Sequence, residues 1–140
     1  MSRVFFDTNV FIYLFEDYEP FSSIVDGVWR RMLQRGDRLV TSAMTLGELL
    51  IKPTQLGQAS LAEQYDRAIR TRGQVISFDA HVAWRYASLR ATHRLRNADA
   101  IQLACAAHCG VDLFITNDLQ LHKLNIPGIG FIAPLDRVPL

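Results

Sequence analysis

A short apolar run near the start of the chain, from Val4 to Phe6, is followed directly by the acid Asp7. A run that is apolar at every position is typical of a strand buried on both faces, and such strands lie inside parallel sheets. In open parallel α/β sheets, ligands bind outside the carboxyl ends of the strands. The sequence therefore places Asp7 at the edge of the sheet where a fold of this kind carries out its chemistry.

Apolar strands and amphipathic helices alternate along the rest of the chain. Further strands are expected at residues 39–40, 75–78, 113–116 and 129–132, and helices at 9–15, 24–33, 44–52, 61–69, 82–93 and 98–108. Pro53 is expected to end the third helix, and Asn97 to cap the last one. This alternation predicts one α/β domain over residues 1–140, with three α/β/α layers around a central parallel sheet of four to five strands.

The composition is that of a globular protein. The chain is 49% hydrophobic and 21% charged, and no apolar run approaches the roughly 20 residues that would span a bilayer. No basic stretch followed by an apolar one opens the sequence. We therefore expect neither a signal peptide nor a membrane partner, and we place the protein in the cytoplasm.

Four acids are predicted to meet at the same edge of the sheet. Asp7 and Asp118 each follow a strand, and Glu48 and Asp99 lie near the starts of helices. Each acid alone has a simpler explanation, either as a helix cap, as part of a capping box with Thr45, or as a charge favoured by the helix dipole. Together, however, clustered carboxylates repel one another and are stable as anions only beside a cation. Oxygen ligands of this kind suit Mg²⁺ or Mn²⁺.

A divalent ion held by carboxylates points to hydrolysis of a phosphodiester bond. Such an ion activates and orients a water molecule and stabilises the leaving oxygen. The sequence contains no P-loop and no Ser-His-Asp or Cys-His order. Haloacid-dehalogenase-like phosphatases need a second Asp two residues after the first, and that position is Asn9 here. Hydrolysis by metal-activated water is therefore the expected reaction.

Four segments resemble the signature segments of PIN-domain ribonucleases, in their order and at a similar spacing. They are Asp7-Thr8-Asn9, Thr45 to Leu49, Asp99 to Ala104, and Thr116-Asn117-Asp118. The resemblance covers nearly the whole chain, and its size makes it most similar to the VapC-like toxins of toxin-antitoxin pairs. It implies a metal-dependent endoribonuclease that cleaves RNA to 5′-phosphate and 3′-hydroxyl ends. It also implies a cognate antitoxin protein as partner and a homodimer.

The resemblance assigns roles to individual residues. It implies that the catalytic residues are the four acids expected to hold the metal: Asp7, Glu48, Asp99 and Asp118. Asn9 and Thr116 match small polar residues that support such a site by hydrogen bonding. Asp112 precedes the fourth strand, so it should lie at the opposite edge of the sheet.

Two surface features are candidates for binding RNA and a partner protein. Arg94 and Arg96 precede the helix that carries Asp99, where they would contact backbone phosphates, and the alternative is a solvated helix face. For the arginines between Arg67 and Arg72 the solvated face is favoured. The residues from Phe11 to Phe21 are unusually aromatic. They either belong to the core or leave a patch for another chain, which the resemblance implies is the antitoxin peptide.

Two other functions fit the same pattern less well. A PIN-fold module that binds RNA or protein without cutting would gain nothing from clustered negative charge. A structure-specific DNA nuclease usually carries large insertions around its site, and a chain of 140 residues leaves little room for them. The sequence therefore favours the metal-dependent endoribonuclease.

Overall fold

A computed structural model describes residues 1–140 of the chain. Its strands are β1 (Arg3–Phe6), β2 (Arg38–Ser42), β3 (Gly73–Ile76), β4 (Val111–Ile115) and β5 (Ile129–Ala133). They form one sheet in the order β3-β2-β1-β4-β5, and every neighbouring pair is parallel. The run that is apolar at every position thus forms the central strand, which is covered on both faces and paired on both edges.

Six helices pack on the two faces of this sheet. They are α1 (Thr8–Phe15), α2 (Phe21–Arg35), α3 (Ala43–Gln55), α4 (Ala59–Arg72), α5 (Ala80–Thr92) and α6 (Asn97–Cys109). The buried residues form two clusters, one beneath α1 to α4 and one beneath α5 and α6. The predicted three-layer α/β/α arrangement is therefore confirmed. No helix combines the length and the apolar character needed to cross a membrane.

The side chains of β1 alternate between the two clusters. Val4 and Phe6 belong to the cluster beneath α1 to α4, whereas Phe5 belongs to the other, and all three are essentially inaccessible to solvent. Phe5 stacks on Phe114 of β4, with ring centroids 4.8 Å apart. Burying a side chain of this size contributes roughly 2–3 kcal/mol. Both halves of the core therefore anchor the strand that ends at Asp7.

Two predicted element boundaries are wrong. β3 ends at Ile76, and Phe78 is exposed, because this strand lies at the edge of the sheet and pairs only with β2. Pro53 does not end α3, which continues to Gln55. Proline lacks an amide hydrogen and so removes one backbone donor from the last turn of the helix. Its carbonyl remains available, and it accepts from the Gln58 amide at 2.8 Å.

The predicted helix cap at Asn97 is also wrong. Arg96 occupies the cap position of α6, its side chain makes no capping hydrogen bond, and Asn97 is the first helical residue. The Asn97 side chain instead accepts a hydrogen bond from the Tyr86 hydroxyl of α5. The contact between α5 and α6 has thus taken the side chain that would otherwise have capped the helix.

The close packing of Gly130 in β5 against the backbone of β4 can be tested by substitution. A Cβ atom added at Gly130 would lie 2.4 Å from the Asp112 carbonyl oxygen. Because a backbone atom cannot move aside easily, Gly130→Ala should lower the free energy of unfolding by about 1–3 kcal/mol in urea denaturation. In α3, a Cβ atom at Gly47 would meet nothing within 4 Å, so Gly47→Ala should raise stability by up to about 1 kcal/mol. Equal effects of the two changes would contradict this strand packing.

Candidate functional site

Asp7 lies directly after β1 and begins the helix that follows. Its Oδ1 accepts from the Thr8 amide at 2.8 Å, and its Oδ2 accepts from the Thr116 hydroxyl at 2.7 Å. The Gln102 amide nitrogen is 3.3 Å from Oδ1. The carboxylate is therefore fixed at the carboxyl edge of the sheet by groups from α1, α6 and the end of β4.

Burial makes the charged form of Asp7 unfavourable. Desolvation raises the pKa of this carboxyl above its usual value, and the nearby charge of Asp99 raises it further. The hydrogen bonds from Thr116, Thr8 and Gln102 act in the opposite direction and lower the pKa. The balance leaves a carboxylate that a neighbouring cation would stabilise.

Asp99 and Asp118 are joined by a single arginine. The Arg96 Nε is 3.0 Å from Asp99 Oδ2, and its Nη2 is 2.9 Å from Asp118 Oδ2. The side chain of Arg96 is 74% exposed, whereas those of Asp99 and Asp118 are only 14% and 18% exposed. Both carboxylates raise the pKa of the Arg96 guanidinium, which therefore stays charged.

Three of the four predicted acids share one cleft of about 400 Å³. Its lining is almost entirely polar and consists of Asp7, Asn9, Tyr13, Arg96, Asp99, Asn117, Asp118 and Gln120. The Oδ1 atom of Asn9 is buried there and has no hydrogen-bond partner. Thr116 lies beneath this cleft, where its hydroxyl oxygen also accepts from the Asp118 amide at 3.1 Å. The predicted supporting residues, Asn9 and Thr116, are thus both at the site.

Glu48 stands apart from the other three acids. It is exposed on α3, and its Oε1 accepts from the Thr8 hydroxyl at 2.7 Å. The capping-box explanation is wrong, because the cap of α3 is Ser42, whose hydroxyl accepts from the Thr45 amide at 3.1 Å. As the side chains stand, no three Asp, Glu, His or Cys groups lie close enough together to hold a metal ion.

Gln102 is a central residue of the site that the sequence reasoning missed. It is 2% exposed, and its Nε2 donates to the Thr45 hydroxyl oxygen at 2.6 Å. The same nitrogen lies 3.1 Å from the Thr8 hydroxyl oxygen and 3.3 Å from Asp7 Oδ1. Its Oε1 accepts from the Ser42 hydroxyl. Gln102, which lies on α6, therefore connects the end of β2 and the start of α3 to Asp7 and Thr8 at the start of α1.

One signal in the sequence points to this residue. Gln102 is the single amide in the otherwise apolar stretch from Ala100 to Ala107 of α6. A buried polar side chain is stable only when its hydrogen bonds are satisfied. The amide on the buried side of α6 therefore requires polar partners at the carboxyl edge of the sheet.

The other arginines lie away from the cleft. Arg94 is exposed, and it forms no ion pair with the site acids. Arg70 pairs with Asp66 one turn earlier in α4, and the guanidinium of Arg72 lies 5.5 Å from the centre of the Trp29 ring. These two arginines of α4 thus contact neighbouring side chains of the protein and do not reach the cleft.

The aromatic segment of α1 divides between core and groove. Phe11 is buried, whereas Phe15 stacks on Tyr65 of α4, with centroids 4.8 Å apart. Phe15, Tyr18 and Tyr65 help to line a groove of about 630 Å³ between α1, α3 and α4. The remaining lining is Ile12, Glu16, Glu48, Leu49, Lys52, Pro53, Leu56, Gln58 and Leu61. Glu48 therefore faces this groove rather than the acidic cleft.

A protein-family comparison identifies the domain. The model of the PIN domain family matches residues 4–127 of the chain. The chain belongs to the PIN domain family. Comparison with curated proteins finds no match by sequence.

Solved structures share the same PIN fold. VapBC2 from Rickettsia felis, solved with a DNA fragment from its promoter, has a TM-score of 0.75 at 15% identity, covering 94% of this chain and 98% of that chain. DNA-bound VapBC from Salmonella typhimurium has a TM-score of 0.75 at 20% identity, with 96% and 99% covered. A toxin-antitoxin complex from Klebsiella pneumoniae has a TM-score of 0.66 at 23% identity, with 90% and 94% covered.

Replacing Gln102 tests whether it holds the site together. Gln102→Leu would remove the acceptor of the buried Ser42 hydroxyl and the shortest donor to the buried Thr45 hydroxyl oxygen, so the free energy of unfolding should fall by about 2–3 kcal/mol. The matched control is Gln64→Leu on the exposed face of α4, which should change stability by no more than about 0.5 kcal/mol. Urea denaturation measures both. A loss no larger than that of the control would contradict the network.

Proposed function

We propose that the protein is a metal-dependent endoribonuclease, formed by one PIN-like nuclease domain over residues 1–140, and that it is the toxin of a toxin-antitoxin pair. The observation that carries the nuclease proposal is the buried carboxylate of Asp7. It shares a polar cleft with Asp99 and Asp118, beside a single arginine. Burying like charges in this way destabilises the fold, and a site that binds a cation gives a physical reason for it.

The side chains of the cleft suit Mg²⁺ or Mn²⁺. The available donors are carboxylate and amide oxygens, which hard divalent cations prefer, and the lining contains no thiolate or imidazole. The unpartnered Oδ1 of Asn9 is a further free acceptor. Asp7, Asp99 and Asp118 would hold the ion, and Glu48 would join them as the fourth acid only by turning away from the groove, where it accepts from the Thr8 hydroxyl. When bound, the ion would supply a water of lowered pKa and offset the charge of the phosphate.

The protein's own residues would prepare this site. Thr116 and Gln102 fix both oxygens of Asp7, so that its position does not depend on an ion. Arg96, at the rim of the cleft, carries positive charge towards the phosphate backbone of the RNA. The lining of the cleft is almost entirely polar, which suits a charged phosphodiester backbone better than an apolar small molecule. An RNA substrate places its action in the cytoplasm.

A second candidate is a PIN-fold module that binds RNA or protein without cutting. The specific observation in its favour is that Arg96 already forms ion pairs with both Asp99 and Asp118. A domain in that state needs no metal ion to be stable. The two candidates differ in one measurable property, since only the nuclease shortens RNA.

Cleavage of labelled RNA by the purified protein tests the nuclease proposal. We expect cutting in Mg²⁺ or Mn²⁺ and none in EDTA, and Asp7→Asn should reduce the rate on the order of 100-fold or more. The same variant should unfold at a temperature a few degrees higher in EDTA, because a neutral amide avoids the desolvation that raises the pKa of Asp7. Higher stability combined with lost activity excludes misfolding as the cause.

The control for this experiment is Asp112→Asn. Asp112 lies at the other end of β4, where it accepts from the Arg3 amide at 2.8 Å, which confirms its predicted place at the opposite edge. The substitution is chemically the same but far from the cleft, so cleavage should remain within about twofold of the wild type. Equal cutting by wild type and Asp7→Asn would refute the catalytic assignment and leave the binding module.

We further propose that the groove between α1, α3 and α4 receives the antitoxin. It is lined mainly by apolar and aromatic side chains, and its acid Glu48 lies beside Thr8 at the start of α1. An amphipathic peptide with apolar anchors and a basic residue would be complementary to it. The similar solved structures named above include toxin-antitoxin complexes. From the resemblance to VapC-like toxins we also expect a homodimer, which sedimentation velocity would detect.

We expect the partner to be a small DNA-binding protein encoded next to this gene. Leu56 lines the groove and Leu33 lies outside it on α2, and the two side chains are nearly equally exposed, at 61% and 60%. Leu56→Arg should weaken binding of that protein by at least about 10-fold in calorimetry, because it places a charge in an apolar contact. Leu33→Arg should change the affinity little. Equal weakening by both variants would place the partner elsewhere.

A further inference from the structure

Arg96 is the only basic residue that lines the acidic cleft. Its guanidinium contacts Asp99 through Nε and Asp118 through Nη2, so one planar group spans two carboxylates. Lysine, which carries a point charge, has no such fork. The cleft therefore holds three carboxylates and one built-in cation.

The position of Arg96 is not explained by the stability of α6. It occupies the cap position at the N-terminus of this helix, where the helix dipole disfavours a positive charge. Its side chain makes no capping hydrogen bond. The two carboxylates of the cleft are thus the groups that hold this side chain in place.

We propose that Arg96 is the counter-ion of the site and that it competes with a divalent cation for the carboxylates of Asp99 and Asp118. This inference rests on the proposed function, because it concerns the same metal ion. Arg96 contacts one oxygen, Oδ2, of each of these carboxylates. A cation that used these oxygens would therefore have to displace the guanidinium.

The exposure of the three side chains allows this exchange. Arg96 is mostly in solvent, so the released guanidinium is hydrated at once and loses little, as is usual for surface ion pairs. Asp99 and Asp118 are mostly shielded from solvent and remain beside Asp7. These two carboxylates need a nearby cation whether or not a metal ion is bound, and Arg96 supplies that cation when no metal is bound. The competition should lower the apparent affinity for the metal without closing the cleft.

Titration calorimetry with Mn²⁺ alone tests the competition. Because Arg96→Gln removes the competing group, it should bind Mn²⁺ about fivefold more tightly than the wild type, or more. The matched control is Arg94→Gln, which removes the same charge from an exposed side chain two residues away. Its affinity should stay within about twofold of the wild type, since only long-range repulsion is lost. Arg96→Lys keeps the charge without the fork and should fall between the wild type and Arg96→Gln.

Thermal unfolding gives a readout that does not depend on activity. In EDTA, Arg96→Gln should unfold at a lower temperature than Arg94→Gln, because Asp99 and Asp118 lose their only cation. In saturating Mn²⁺ this difference should disappear. A cooperative transition in both conditions shows that the variants are folded.

The outcomes separate this inference from the proposed function. Equal Mn²⁺ affinities of Arg96→Gln and Arg94→Gln would overturn the competition while leaving the metal site intact. Absence of Mn²⁺ binding in the wild type and in Arg96→Gln alike would overturn both the metal site and the competition. Binding by Arg96→Gln, with weaker or no binding by the wild type, is the result that supports the inference.

Discussion

Burial of the Asp7 carboxylate at the end of the central strand is the constraint on which the rest of this site depends. An ionised carboxylate removed from water is stable only where donors or a cation replace the water. Here the donors come from three separate segments, through Thr8, Gln102 and Thr116. The carboxylate thus links the packing of the sheet to the packing of α1 and α6. Any change that loosens one of these segments also loosens the site.

The site has a rigid inner part and an adaptable outer part. Gln102 and the hydroxyls of Thr8 and Thr45 form a buried network with satisfied hydrogen bonds, and such networks specify one arrangement. Arg96, in contrast, is held only by ion pairs at the surface. A fixed Asp7 beside a movable guanidinium is suited to exchange one cation for another without rearrangement of the fold.

The PIN fold itself tolerates wide divergence in sequence. The solved structures that share it are only 15–23% identical to this chain, yet nearly their whole lengths superpose. The fold needs a buried parallel sheet and helices on both faces, and many apolar sequences satisfy that requirement. Function must therefore be argued from the side chains at the carboxyl edge of the sheet.

The sequence by itself determined the layered α/β fold, the central position of β1 and the placement of Asp7, Asp99 and Asp118 at one edge of the sheet. These features follow from local periodicity and from the geometry of parallel strands, which a single sequence expresses directly. Only the tertiary structure decided the roles of the side chains that bridge distant segments. It turned Glu48 towards the groove, joined Asn97 to Tyr86, set Arg96 between two acids and placed Gln102 at the centre of the buried network. The reason is physical: most of these contacts join residues that are distant in sequence, 95 positions apart for Gln102 and Asp7, and they depend on how the helices pack on the sheet.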